Sequence, residues 1–399
     1  MRAVQVKIEE TDFRKVEKAV SKAVALIRKG LPKERVVRSI KAKGLILSPD
    51  DVYEVARCRI KAREKFGELA DNLFFDEEGL RYSTPKVVAE YRAKRLKCDV
   101  IADVSCGVGG QLLFFATHCK KVYGVEINPK RAIIAALNAM ALELNNIEII
   151  AGDALGEEVP VLVRDADIIF SDPARPPGEE IRTIDSLEPN PLRIVEKYSH
   201  TTDRIAFELP PQMPPGRVDR WLKGEKEYTS LNFKLNRLAL YMGGLADCDV
   251  SAISLPSEER VTSEDEAVEI DVASRIGSFI YEVDPAVVKA GLVANLIGKI
   301  GLQAEIVKGD KRRTLLTSDG EVKSAFLRRY KVVDVVSFGV EPIRKALRKA
   351  GAGKVTLRFS LPPSEYWSVR KKLENGLEGD RWVYLFRIGD SAVIAEPTC

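Results

Sequence analysis

Four carboxylates lie at the ends of four apolar runs in this chain of 399 residues. They are Asp103, Glu126, Asp153 and Asp172, and the runs cover residues 99–104, 121–126, 147–151 and 166–171. Short apolar runs that alternate with helical spacing are typical of buried parallel strands. Because such strands end at the same edge of a sheet, we expect the four carboxylates to line one edge. There they can accept hydrogen bonds from the hydroxyl and amino groups of a ligand.

The first carboxylate leads into a glycine loop that opens a predicted helix at residues 111–118. Gly107 and Gly109 allow the backbone to approach a ligand closely. A dinucleotide-binding loop would need a small residue three positions after the second glycine, and Leu112 stands there. An S-adenosylmethionine (SAM) loop fits better, and a purely structural turn is the alternative. The residues assigned to the cofactor in this loop are Asp103, Ser105, Cys106, Gly107 and Gly109.

The next two strand ends carry residues suited to an adenosine. Glu126 can accept both ribose hydroxyls. The alternative is a helix-capping acid, because Asn128 and Pro129 start the following predicted helix at residues 130–144. Asp153 can accept the exocyclic amine of adenine, and the Ala154 amide can donate to a ring nitrogen. The cofactor set at these ends is therefore Glu126, Ile127, Asp153 and Ala154.

The fourth strand end, Ser171-Asp172-Pro173, is where the methyl acceptor is expected. SAM carries an activated methyl group, so the task of the protein is to position the acceptor. Asp172 can hold an amine or hydroxyl in line, Pro173 stiffens the loop, and Ser171 is assigned to the cofactor. Arginines follow at positions 175, 182 and 193, of which Arg175 is assigned to the catalytic set. They could engage a phosphate or a nucleobase, or simply be surface residues.

Methylation of pyrimidine C5 would need a cysteine nucleophile beside the fourth or fifth strand end. Neither end contains one. We therefore expect transfer to nitrogen, and transfer to oxygen is the alternative.

Composition excludes several classes of function. The two histidines and six scattered cysteines form no zinc-binding spacing, so we expect no metal. No apolar run is long enough to span a membrane, and the N-terminus lacks the apolar segment of a signal peptide. The sequence therefore predicts a cytoplasmic protein without a membrane partner, and we expect a monomer.

Two further segments support a resemblance to class I SAM-dependent methyltransferases. Residues 82–85, Tyr-Ser-Thr-Pro, together with residues 103–110, resemble the cap guanine-N2 (trimethylguanosine synthase-like) RNA methyltransferases. This resemblance implies that Ser83 and Thr84 belong to the cofactor pocket. Two departures matter: Ser105 replaces the usual first glycine, and Ala174 stands where the cap enzymes have a guanine-stacking tryptophan. Guanine N2 is therefore not carried over as the acceptor.

The C-terminal part is similar to the opening of a THUMP-like domain at residues 281–286 and 290–292. The predicted fold class is α/β: a Rossmann-like, mostly parallel methyltransferase sheet with an antiparallel edge, a helical N-terminal domain and a small α/β C-terminal domain. The predicted domains are residues 1–78 (helical), 79–256 (methyltransferase), 257–275 (acidic linker) and 276–399 (THUMP-like).

The resemblance implies RNA, tRNA or rRNA, as the partner. Basic residues of the N-terminal helices could face phosphates or form a solvated surface. They include Arg28, Lys29, Lys33, Arg35, Arg57, Arg59 and Arg63. The expected function is SAM-dependent methylation of a base nitrogen in structured RNA. The alternatives are a methyltransferase of a small molecule or protein, and a catalytically silent RNA-binding protein.

Overall fold

The computed structural model describes residues 2–40, 43–174, 183–308 and 312–398. The chain forms two compact units, one of Met1–Glu225 with Leu238–Asp247 and one of Lys226–Arg237 with Cys248–Cys399. No helix in the described ranges is long and apolar enough to cross a membrane. The four-domain division drawn from the sequence stays a prediction.

The first unit is mainly helical at its N-terminal end. Its helices are α1 (Glu10–Arg28), α2 (Lys33–Ser39), α3 (Pro49–Lys61), α4 (Arg63–Phe66), α5 (Glu77–Tyr82), α6 (Lys86–Arg95), α7 (Leu112–Phe115), α8 (Pro129–Ala141), α9 (Glu158–Leu162), α10 (Pro191–Tyr198) and α11 (Pro215–Val218). Val16 and Val20 of α1 are fully buried against the core. Ser48 caps α3 in a capping box with Asp51. Helices α1 to α4 and α6 to α8 contribute buried residues to the same core as the sheet of this unit.

The strands in the first part of the chain are β1 (Val4–Val6), β2 (Val100–Asp103), β3 (Lys121–Glu126), β4 (Ile147–Ala151), β5 (Ile168–Ser171), β6 (Ile205–Leu209), β7 (Glu225–Leu231) and β8 (Leu235–Tyr241). Strands β4, β3, β2, β5 and β6 are parallel neighbours in that order. Strand β1 pairs antiparallel with β4, and residues 238–241 of β8 pair antiparallel with β6. The parallel sheet with antiparallel edges is confirmed. The strand order reverses between β2 and β5, which opens a crevice at their carboxyl ends.

Gly124 in the middle of β3 lets the layer above the sheet pack closely. A Cβ atom there would lie 2.9 Å from Ile149 Cδ1 and 3.2 Å from Cys106 Sγ. No ordinary side chain fits at such distances without moving its neighbours. The glycine therefore fixes how near the loop after β2 lies to the sheet.

The second unit continues with strands β9 (Val250–Leu255), β10 (Glu259–Thr262), β11 (Phe279–Val283), β12 (Glu305–Val307), β13 (Leu315–Ser318), β14 (Leu327–Ser337), β15 (Ala352–Leu357), β16 (Arg381–Ile388) and β17 (Ser391–Pro397). Its helices are α12 (Pro285–Ala290), α13 (Val293–Ile300), α14 (Val340–Lys349) and α15 (Pro363–Glu374). Seven strands form one sheet in the order β12-β13-β11-β14-β17-β16-β15. Strand β10 lies within the range predicted as linker.

Residues 285–300 form two helices rather than one. The structure has α12 and α13, separated at Gly291. Gly291 has a φ of +76°, which ends α12 in the left-handed conformation that glycine tolerates. The apolar spacing carries across this turn, and so the sequence reads as one helix.

Candidate active site

The four carboxylates lie along one edge of the sheet, as predicted. Asp103 and Glu126 are the last residues of β2 and β3. Asp172 follows β5 directly, and Asp153 follows β4 by two residues. Since β4, β3, β2 and β5 are neighbours, the series spans the crevice where the strand order reverses.

The glycine loop is fastened to the end of the next strand. The amide of Cys106 donates to the Val125 carbonyl at 2.9 Å, and the amide of Gly107 donates to Glu126 Oε2 at 2.8 Å. Gly109 has a φ of +83°, and a Cβ atom there would lie 3.3 Å from the Ala135 Cβ. The loop is thus a preformed turn whose backbone approaches α8 closely.

Glu126 holds the loop with both carboxylate oxygens. Oε1 accepts the amide of Asn128 at 2.8 Å, while Oε2 accepts that of Gly107. The side chain of Asn128, rather than Glu126, caps α8 by accepting the amides of Lys130 and Arg131. Burial raises the pKa of Glu126, which is only 8% exposed. Each oxygen keeps a second lone pair, so the carboxylate can still accept ribose hydroxyls.

Asp103 is buried at the centre of this edge. It is 2% exposed, and it accepts the Ser105 amide at 3.1 Å. Burial, together with the nearby carboxylates of Asp172 and Glu126, raises its pKa to about 8. A cationic ligand in the crevice would relieve this crowding of acids, as the sulfonium and amino groups of SAM would.

This shift predicts a pH-dependent stability. The folded protein retains the Asp103 proton up to about pH 8, whereas an unfolded aspartate loses it near pH 3.8. Between these values the folded state binds more protons, so the free energy of unfolding falls as the pH rises. We expect Asp103→Asn to remove this part of the slope in urea unfolding followed from acidic to neutral pH. Identical slopes in the two proteins would show that Asp103 is ionised throughout the range.

Ser105 joins the glycine loop after β2 to the end of β5. Its Oγ lies 2.9 Å from Ser171 Oγ and accepts the backbone amide of Asp172 at 2.8 Å. The serine that departs from the resembled family therefore has a structural role here. It fixes the backbone that presents the Asp172 side chain.

The remaining predicted cofactor residues lie at the same edge. Asp153 accepts the amide of Leu155 at 2.9 Å, and the Ala154 carbonyl accepts the Tyr198 hydroxyl at 2.8 Å. Ile127, next to Glu126, is 60% exposed. An exposed aliphatic side chain beside a ribose-binding carboxylate can cover one face of an adenine.

The segment with Ser83 and Thr84 lies against the glycine loop. A Cβ atom at Gly110 would lie 3.2 Å from Ser83 Oγ, and Thr84 is buried. Lys65 secures the approach to this segment by donating to the carbonyls of Leu80 and Arg81 at 2.6 and 2.7 Å. No sequence pattern indicates this role for Lys65.

The loop that follows β5 is described only in part. Pro173 is buried, and Ala174 forms a β-bridge with Glu188. Arg175 and Arg182 lie outside the described residues. The described ranges contain no group of three or more His, Cys, Asp or Glu residues that could hold a metal.

A buried ion pair beneath the site was missed by sequence reasoning. The guanidinium of Arg92 pairs with Glu208, donates to Gln111 Oε1 at 3.0 Å and lies 5.2 Å from the centre of the Phe170 ring. Arg92 and Glu208 are 2% and 5% exposed. The only local signal is an acid within the apolar run of β6.

The prediction that Arg59 belongs to the basic surface is wrong. Arg59 is 4% exposed, because it pairs with Glu17 at 2.8 Å and donates to the Leu73 carbonyl. Its guanidinium also lies 4.6 Å from the centre of the Phe74 ring. Arg59 ties α3 to α1 and cannot contact a phosphate.

Comparison with known proteins agrees with this geometry. A family model described as RNA cap guanine-N2 methyltransferase matches residues 98–179, which hold all four carboxylates. An uncharacterized S-adenosylmethionine-dependent methyltransferase of Mycobacterium tuberculosis is 27% identical over 85% of this chain and 92% of its own length. Uncharacterized RNA methyltransferases are similar over shorter regions. The one from Oceanobacillus iheyensis is 40% identical over 20% of this chain and 18% of its own length. The one from Staphylococcus aureus is 33% identical over 28% of this chain and 25% of its own length.

A solved structure from Porphyromonas gingivalis W83, assigned to the methyltransferases, shares the fold. The match covers 99% of this chain and 100% of that chain, with a TM-score of 0.75 and 16% sequence identity. The fold is that of a class I methyltransferase. The family match and the relatives support a SAM-dependent methyltransferase.

Proposed function

We propose that this protein transfers a methyl group from SAM to a base nitrogen of structured RNA. The observation that carries the proposal is the row of carboxylates at the crevice, in which Asp103, Glu126 and Asp172 flank one glycine loop. The family match and the RNA methyltransferase relatives support RNA as the substrate class. We propose tRNA or rRNA as the RNA.

The residues present fit SAM. Buried carboxylates suit its two positive groups, and the exposed Ile127 suits the adenine face. In our proposal Glu126 binds the ribose, while Asp153 and Ala154 bind the adenine edge. Asp103 faces the positive end, and the turn at Gly107 and Gly109 supplies the close backbone approach. SAM supplies the activated methyl group, so no strong nucleophile is needed from the chain.

Asp172 is proposed to orient the acceptor. Its backbone amide donates to Ser105 Oγ at 2.8 Å, which fixes the backbone from which the carboxylate extends. A carboxylate there can accept a hydrogen bond from an amino group and so turn the lone pair of its nitrogen towards the methyl group. Pro173 shapes the loop, and Arg175 is proposed as a further contact to the substrate.

Transfer to nitrogen is preferred to transfer to a pyrimidine carbon. The ends of β5 and β6 contain no cysteine that could add to a base. Cys106 lies in the cofactor loop, and burial raises the pKa of its thiol well above the ordinary value. A thiolate attack from this residue is therefore disfavoured.

Phosphate contacts are proposed for the N-terminal helices. Arg28, Lys29 and Arg35 are exposed. Lys33, Arg57 and Arg63 instead form ion pairs with Asp50, Glu77 and Asp71. The first group is thus better placed to meet RNA. We also propose that the protein acts as a cytoplasmic monomer and that residues 276–399 form a THUMP-like domain.

Labelling distinguishes RNA from the other acceptors. The protein is incubated with total RNA and SAM carrying a radioactive methyl group, and the products are treated with ribonuclease or protease. We expect acid-precipitable label that ribonuclease releases. Label released by protease, or label found only in small molecules, would contradict the proposal. RNA binding should also weaken steeply with salt.

A further inference from the structure

Two aromatic rings stand in a ladder on the sheet of the second unit. Trp382 and Tyr384 of β16 are parallel within 9°, with ring centres 6.2 Å apart. Trp382 is 55% exposed although indole is among the most apolar of side chains. An exposed indole offers a flat apolar surface on which a ligand ring can stack.

The two rings lie on the face of the sheet opposite α14 and α15. Val383 and Leu385, which alternate with the two aromatic residues along β16, belong to the core formed with Ile343 of α14 and Leu373 of α15. Side chains alternate between faces along a strand, so Trp382 and Tyr384 point the other way. Trp382 is held in place by a hydrogen bond from its indole nitrogen to Thr356 Oγ1 at 2.7 Å.

Positive charge accompanies the rings. Lys354 is paired with Trp382 in the register of β15 and β16 and is exposed. Within the described ranges no carboxylate forms an ion pair with Lys354. The guanidinium of Arg358 lies 5.5 Å from the centre of the Tyr384 ring and 3.7 Å from Glu282. Lys354 is therefore the cation beside Trp382 that remains available to an anion.

We propose that this aromatic face binds unpaired nucleotides of RNA, with a base stacked on Trp382 and a phosphate at Lys354. Aromatic rings with a neighbouring cation suit single strands, because every base offers a flat face and every linkage a negative charge. Bases within a duplex already stack on one another and cannot reach the ring. The inference rests on the proposed function, since RNA is there the substrate, and it restricts the substrate to RNA with unpaired bases.

Fluorescence anisotropy tests the proposal with the full-length protein. The probes are a fluorescein-labelled oligouridine of about 12 nucleotides and a labelled RNA duplex of equal length. We expect Trp382→Ala to weaken binding of the oligouridine by about ten-fold or more, as the loss of one stacked base does, and to leave duplex binding unchanged. Trp382→Phe keeps a stacking surface and should retain most of the affinity.

Trp367→Ala is the matched control. Trp367 is 69% exposed on α15, the helical side of the sheet, so its loss removes an exposed indole elsewhere. Oligouridine affinity should be unchanged in this variant. The proposal is overturned if the wild type does not bind oligouridine, or if Trp382→Ala binds it as tightly as Trp367→Ala does.

A second readout separates this inference from the proposed function. Methyl transfer to total RNA by the wild type tests the function alone. If the wild type methylates RNA and Trp382→Ala binds oligouridine normally, the aromatic face is refuted while the methyltransferase stands. If the wild type labels no RNA, the proposed function fails first. The thermal midpoint of each variant shows whether it is folded. If the alanine variant is not, Lys354→Gln serves as the test, because loss of the proposed phosphate contact should also weaken oligouridine binding.

Discussion

Replacing Asp172 by alanine should lower turnover by roughly 10²–10⁴-fold and leave SAM affinity nearly unchanged. The reason is its place: Asp172 follows β5 at the crevice, and its backbone is fixed by the hydrogen bond to Ser105 Oγ at 2.8 Å. This hydrogen bond involves the backbone amide, so it survives the substitution. The measurement pairs methyl transfer to RNA at saturating SAM with calorimetric titration of SAM.

Asp185→Ala is the matched control for this change. Asp185 is exposed in the segment before α10, and its backbone carbonyl, which accepts the Asn190 side chain, survives the substitution. The control should have the same turnover and the same SAM affinity as the wild type. Unaltered turnover in Asp172→Ala would remove Asp172 from the mechanism, and equal losses of turnover and SAM affinity would assign it to the cofactor.

Replacing Glu126 by glutamine should weaken SAM binding by roughly 100-fold. Two hydrogen bonds from ribose hydroxyls to a charged acceptor are worth about 1.5 kcal/mol each, and the two together give this factor. The amide would also turn an N–H group towards one of the backbone amides of Gly107 and Asn128, which now donate to the carboxylate. The cofactor loop would lose its anchor as well as its ribose acceptor.

Glu148→Gln is the control for Glu126. Glu148 lies on β4 and forms an exposed ion pair with Lys121 at 3.4 Å, away from the strand ends. Surface pairs of this kind contribute little to stability, so SAM affinity should not change. If Glu126→Gln binds SAM like the wild type while remaining folded by thermal melting, the ribose role is wrong.

The positions of the site residues follow from local patterns. The sequence predicts β3 and β4 with their observed ends, because the first apolar run stops at Glu126 and the second at a Gly-Asp turn. Once the strands are known to be parallel, topology alone brings the carboxylates to one edge. This is why the row of carboxylates could be predicted without any knowledge of long-range contacts.

The contacts that hold the site could not be predicted in this way. Ser105 meets Ser171, and Arg92 meets Glu208, across 66 and 116 residues of sequence. The partner of a single serine or arginine cannot be predicted from sequence periodicity. Helix α7 likewise spans only Leu112–Phe115 within the predicted 111–118, because its ends are set by packing rather than by a cap.

The most direct measurement of the central claim is mass spectrometry of nucleosides from RNA incubated with the protein and SAM bearing a deuterated methyl group. The account predicts a labelled nucleoside whose deuterated methyl group stays with the base fragment and sits on nitrogen. It also predicts no such nucleoside with Asp172→Ala. A label on ribose or on a pyrimidine carbon, or no labelled nucleoside from a wild type that binds SAM, would contradict it.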